Sequence, residues 1–179
     1  MSATVAVGFF GKLPSRGDFL RAGLSRGFTD PWDAWLQRVL PACRHLIGAE
    51  WDEVWCVAPA WRFALAGGQV GRAPVVGLFL PSTDRAGRHF PLTIAAEGAE
   101  SDADFLDAVE QAGRDAIGQI IAPDLLLARL LGIAPPAPAS AVPDAVTRWW
   151  RSGSGERAGE ALAFDVLPDA AALAGMLAR

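Results

Sequence analysis

Ser82, Asp84 and His89 fall in one short segment, PSTDRAGRHFP, and bring a hydroxyl, a carboxylate and an imidazole close together in the chain. These groups could serve as nucleophile, orienting acid and general base, but that chemistry needs an alignment in space that sequence proximity does not supply. The same residues suit a structured turn. Ser, Thr and Asp side chains bond to nearby backbone groups, and the Arg85 and Arg88 guanidiniums are shaped to hold a carboxylate. The segment is therefore read as a turn with capacity for protein contact, and a hydrolase acting through Ser82, Asp84 and His89 stands as an alternative.

Other chemistry has less to stand on. GFFGK resembles part of a phosphate-binding loop, yet Leu13 follows Gly11-Lys12 where a Ser or Thr hydroxyl is needed for magnesium, and the full glycine spacing is missing. His45 and His89 are the only histidines, and neither has a neighbour at ligand spacing, so no metal and no cofactor is expected. Cys43 and Cys56 lie in apolar surroundings without a CxxC pattern and read as buried free thiols in a reducing compartment.

The richest segment is GFFGKLPSRGDFLR, Gly8 to Arg21. A short strand from Val5 to Phe10 would end at Gly11, and Pro14 and Gly17 would turn the chain, presenting Lys12, Ser15, Arg16, Asp18 and Arg21 on a rigid loop. Arg16 pairing with Asp18 would be the simplest way to fix that loop. Asp30 is placed to cap a helix with Pro31 at its first position, and Trp32, Trp35, Leu36, Val39 and Leu40 recur at helical spacing until Pro41 kinks or ends it.

Strands are expected over Val54–Pro59 and Trp61–Ala66. The unbroken apolar run from Pro74 to Pro81 predicts a central strand covered on both faces, with Pro91–Ala96 as its antiparallel partner across the polar turn. Ser101 and Asp104 approximate a capping box for a helix whose apolar stripe reaches Ile120, and a shorter helix follows from about Asp124 to Leu131. The proline-rich stretch 132–143 reads as an exposed excursion within one domain spanning 1–179, and the glycine-rich SGSGERAGE, 152–160, as a turn. Leu162, Phe164 and Val166 would share one face of a late strand, and Asp169 would cap a final helix through Leu177. The predicted class is α/β, a single domain with a mixed or mainly antiparallel sheet packed by helices.

Composition narrows the function. With 16 Lys plus Arg against 20 Asp plus Glu, the chain lacks the basic field of a nonspecific nucleic-acid binder, and none is expected as a partner. No apolar run reaches membrane-spanning length and the N-terminus lacks signal-peptide character, so stable membrane insertion is not expected and the cytoplasm is the default location. The seven tryptophans read mainly as core. In the Trp149-Trp150 pair one ring would face inward and the other the opposite surface, which makes Trp150 a candidate anchor for a partner.

Four stretches together, GFFGKLPSRGDFLR, DPWDAWLQ, WRFALAGG and GLFLPSTDRAGRHFPLTIAA, closely resemble the TagF/ImpM family of type VI secretion-associated proteins, over most of Gly8 to Ala96. The resemblance implies a cytoplasmic, non-catalytic accessory protein that regulates secretion posttranslationally. Repression of assembly through protein binding is the expected mode, and an assembly or cargo-recruitment adaptor is the alternative. It further implies a type VI regulatory or structural protein as partner, with a forkhead-associated scaffold among the candidates, in systems also governed by a threonine kinase and its opposing phosphatase. Some relatives carry that phosphatase fused; it is not carried over to these 179 residues. The family loop maps onto Gly11 to Phe19 and the family turn onto Pro81 to Pro91. Lys12, Ser15, Arg16, Asp18, Ser82, Asp84, Arg85, Arg88 and Trp150 form the expected protein-binding set.

Overall fold

The apolar run Val75–Leu80 forms the middle strand of a seven-stranded sheet, and all of its residues are buried. The computed structural model describes residues 5–139, 146–153 and 159–179. In chain order the elements are β1 (Ala6–Gly11), β2 (Leu20–Ala22), α1 (Arg26–Ile47), α2 (Trp51–Val57), β3 (Trp61–Leu65), β4 (Val75–Leu80), β5 (Leu92–Glu97), α3 (Ala103–Gly118), α4 (Pro123–Leu131), β6 (Thr147–Arg151), β7 (Glu160–Phe164) and α5 (Ala170–Leu177). The spatial order is β2-β1-β5-β4-β3-β6-β7, and neighbouring strands pair antiparallel throughout. This is the expected single α/β domain with an antiparallel sheet packed by helices.

Helices on both faces explain why the central strands lack a polar side. On one face α1, α2 and α5 bring Trp32, Trp35, Trp55 and Leu173 against Phe63, Phe79 and Trp149. On the other, α3 and α4 bring Phe105, Val109 and Leu126 against Phe9, Leu78 and Ile94. Buried indoles need a hydrogen-bond acceptor, and they find one. Trp32 donates to Thr93 Oγ1, Trp35 to the Pro168 carbonyl and Trp61 to the Met176 carbonyl, so two of these three bonds tie the C-terminal segment to the core.

Several local expectations shift. Helix α1 starts before Asp30: Ser25 is its N-cap, accepting from the Phe28 amide, and Pro31 and Pro41 both lie inside the helix. Glu97 at the end of β5 accepts from the Ser25 amide and hydroxyl at 2.5 and 2.7 Å, a long-range anchor that fixes this earlier start. The expected strand at Val54–Pro59 is instead the end of α2 and its exit. Trp51 and Trp55, one helical turn apart with rings 5.1 Å from each other, form the buried face of this helix and override the β-preference of its valines. Cys56 points away from that face and is exposed, so only Cys43 is the buried thiol.

Asp102, not Ser101, caps α3 by accepting from the Phe105 amide at 2.8 Å, and the helix ends at Gly118. Strand β7 stops at Phe164 and leaves Val166 exposed, whereas Asp169 caps α5 as expected. The described part of the proline-rich stretch is largely exposed yet tied down, with the Glu100 backbone amide donating to the Ala137 carbonyl and the Ala139 amide to the Gly98 carbonyl. Residues 140–143 of that stretch, 154–158 of the expected glycine-rich turn and 1–4 lie outside the described residues.

Candidate functional site

Antiparallel register decides which loops meet. Gly11 at the end of β1 pairs with Leu92 at the start of β5, and Leu92 also pairs with Leu80 at the end of β4. The loop after β1 and the turn between β4 and β5 therefore leave the same end of the sheet side by side. The approach is close enough to require glycine. Gly11 has φ +130, and a Cβ there would lie 2.0 Å from the Pro91 carbonyl oxygen.

Asp84 is the hub of the joined loops, and its side chain is fully buried. Its Oδ1 accepts from the Ala86 and Arg88 amides at 2.9 and 3.0 Å, which shapes the turn. Its Oδ2 accepts from Lys12 Nζ at 2.9 Å and Arg88 Nε at 2.6 Å. Burial alone would raise the Asp84 carboxyl, but these bonds from Lys12, Arg88 and the two amides outweigh it and hold the group well below the usual carboxylate range. It stays ionised.

Further bonds lock the two loops. Arg88 Nη2 donates to the Gly17 carbonyl at 2.9 Å, the Arg85 amide to the Arg16 carbonyl at 2.8 Å, and Ser82 Oγ to the Lys12 carbonyl at 2.9 Å. From the helical layer, Trp55 Nε1 donates to the Ser82 carbonyl at 2.9 Å. Lys12 Nζ also lies 4.8 Å from the centre of the Phe19 ring, which packs edge-on against Phe90. Phe19 is half exposed. No sequence pattern separated this aromatic from the core ones, because its exposure follows from where the second loop crosses.

The nine expected residues thus divide. Lys12, Ser82, Asp84 and Arg88 make the clamp, and Ser15, Arg16, Asp18 and Arg85 sit around it, with Arg16, Asp18 and Arg85 exposed. Arg16 does not pair with Asp18; its Nη1 bonds to the Ser15 carbonyl at 3.3 Å. Trp150 stands apart. Strand β6 lies four strand positions from β1, roughly 19 Å at ordinary sheet spacing, and Trp150 is partly buried against the α3–α4 side while Trp149 fills the other.

The hydroxyl, carboxylate and imidazole do not assemble as a triad. Ser82 Oγ is bonded to a backbone carbonyl and Asp84 to its two cations, while His89 stacks on Trp55 at 5.5 Å with Nδ1 3.6 Å from Asp52. Burial lowers the His89 pKa, and Arg44 adds to that against the pull of Asp52. Among the described residues no group of three or more His, Cys, Asp or Glu side chains could hold a metal ion. A second charged cluster staples α3 to the sheet: Arg62 reaches Glu110 at 2.9 Å and Asp107 at 2.5 Å. Burial alone would lower the Arg62 pKa, and the bonds to both acids raise it instead.

Known proteins add the context. Residues 8–131 match the TagF N-terminal domain, type VI secretion system-associated. That span contains both loops of the clamp. Among solved structures, the crystal structure of PA0076 from Pseudomonas aeruginosa PAO1 is similar at 30% sequence identity with a TM-score of 0.80, over 96% of this chain and 94% of that one. No curated protein matches. No helix among the described residues is long and apolar enough to cross a membrane.

Proposed function

This chain belongs to the TagF N-terminal domain family of type VI secretion-associated proteins, and from that premise we propose that it is a non-catalytic accessory protein that represses assembly of the secretion complex posttranslationally. It acts in the cytoplasm by binding a regulatory or structural component of that system, with a forkhead-associated scaffold as one candidate. The observation that carries this reading is the clamp. A buried Lys12–Asp84 pair rigidifies two loops and leaves Arg16 and Arg85 exposed on the same rim.

Rigidity matters for such a role, because a preformed surface loses little side-chain and loop freedom on binding. Preferential binding to an unassembled component would lower the population available for assembly. The test is secretion in a clean deletion strain, complemented with the wild-type chain at matched and elevated expression. Secretion that rises on deletion and returns to baseline on complementation supports repression. Secretion that is lost on deletion and restored by complementation supports an assembly or recruitment adaptor instead.

A further inference from the structure

We infer that Ile120, Arg16 and Arg85 form one docking point for a protein segment that carries a carboxylate beside an apolar side chain; this deepens the proposed function and rests on it for the identity of the partner system. The Ile120 backbone lies in the wrong region for its side chain. Ile120 has φ +54 and is the only non-glycine residue with positive φ among the described residues. The cause is the way α3 ends. Gln119 is its C-cap, and the Ile121 amide reaches back to the Ala116 carbonyl at 3.0 Å, a closure that puts the residue between them in the left-handed region.

Glycine is the ordinary occupant of that position, and a β-branched residue is strained there. Burial does not offset the strain, since Ile121 fills the core while Ile120 is 61% exposed. A strained, exposed, apolar residue is a reason to look for a contact it makes with something else.

Its surroundings say what kind. Ile120 lines an open surface cavity of 720 Å³ together with Ser15, Arg16, Thr83, Asp84 and Arg85, and the Asp84 carboxylate there is already neutralised by Lys12 and Arg88. The two arginines are held together through the bond from the Arg85 amide to the Arg16 carbonyl, and neither meets a carboxylate among the described residues. Ser15 Oγ is buried with no hydrogen-bond partner among the described residues. In a chain of net charge −4 this is a local excess of positive charge with an apolar wall.

Guanidinium forks match carboxylates, and a serine hydroxyl can donate to one. A phosphoryl group would also draw on free backbone amides. Here the turn has none to offer: the Arg85, Ala86, Gly87 and Arg88 amides already bond to Arg16, Asp84, Asp84 and Asp84. The carboxylate is the better occupant, and Ile120 sets the requirement for an apolar neighbour.

The test uses the whole chain, isotope-labelled and titrated by NMR with four synthetic peptides on one neutral scaffold, bearing Glu-Glu-Leu, Gln-Gln-Leu, Glu-Glu-Ser or phosphothreonine-Leu. The Glu-Glu-Leu peptide should shift the Arg16, Arg85 and Ile120 amides, with the Gln-Gln-Leu and Glu-Glu-Ser peptides each about tenfold weaker. I120G and I120N, which suit the left-handed backbone, should unfold at the same or a higher temperature than wild type and still bind the Glu-Glu-Leu peptide about tenfold less tightly. Either variant losing stability would overturn the strain argument, and unchanged binding in both would overturn the role of Ile120. Preference for the phosphothreonine peptide would overturn the carboxylate occupant. If the peptides discriminate as expected but R16E/R85E complements secretion fully, the docking point stands and the regulatory reading fails; if secretion responds and the peptides do not discriminate, the reverse holds.

Discussion

Replacing Asp84 by Asn should be among the most damaging single substitutions in this chain that leave side-chain volume unchanged. The Lys12 and Asp84 side chains are 7% and 0% exposed, so water does little to screen either charge. The Asn oxygen can still accept from the Ala86 and Arg88 amides, but its amide group faces an ammonium and a guanidinium that have lost their counter-charge. Leaving one member of a buried pair uncompensated costs about 3–5 kcal/mol, a large part of an ordinary domain's margin of about 5–15 kcal/mol. Lys12→Met is milder at about 1–2 kcal/mol, because Asp84 keeps Arg88 and both amides. The double variant should therefore cost about 2 kcal/mol less than the two singles added. Urea unfolding followed by tryptophan fluorescence reads all three, with Trp55 bonded directly to the turn. Acid stability gives a second reading. Asp84 titrates lower in the folded chain than in the unfolded one, so its contribution is complete above its unfolded pKa of about 3.9 and is lost as pH falls toward the folded value. D84N should flatten that acid-side slope. A D84N cost below about 1 kcal/mol, or strict additivity in the double variant, would refute the clamp as the element that fixes the two loops.

Gly11→Ala should destabilise by about 2 kcal/mol or more, since the new Cβ meets backbone at 2.0 Å, whereas Gly87→Ala, with φ +80 but open space, should cost about 1 kcal/mol; urea midpoints compare them. The exposed Cys56 should react with a disulfide reagent at pH 8, while Cys43, buried and pushed up to about 11, reacts only on unfolding. Thiol counts before and after denaturant check this. Glu110→Gln should cost about 1–3 kcal/mol because it faces the largely buried Arg62, and Asp107→Asn, on a side chain 67% exposed, less than about 1 kcal/mol.

What could be read from the sequence was what local pattern decides. The apolar runs at Val75–Leu80 and Leu92–Glu97, the polar turn between them and the Asp169 cap are visible because neighbours along the chain determine them. The helix at Trp51–Val57 was not, since its decisive interaction is the packing of Trp51 and Trp55 under His89 from a distant turn. The start of α1 likewise depends on Glu97, 72 residues from Ser25. For the candidate site, the residue types were legible in the two loops, but their division into a clamp around the buried Lys12–Asp84 pair and a rim without carboxylate partners was not. Lys12 and Arg16 look alike in sequence. Only the pairing of β1 with β5 puts the first beneath Asp84 and the second at the surface. Ile120 was read as the last residue of a helical stripe, and the closure of α3 at Gly118 moved it outside the helix.

The most direct measurement is secretion in the deletion strain complemented, at matched protein level, with either the wild-type chain or R16E/R85E, after unfolding curves have established that the double variant folds. Secretion raised by the deletion should be brought down by the wild-type chain and stay raised with R16E/R85E. Full repression by the charge-reversed chain, or a deletion that abolishes secretion, would contradict the proposed function.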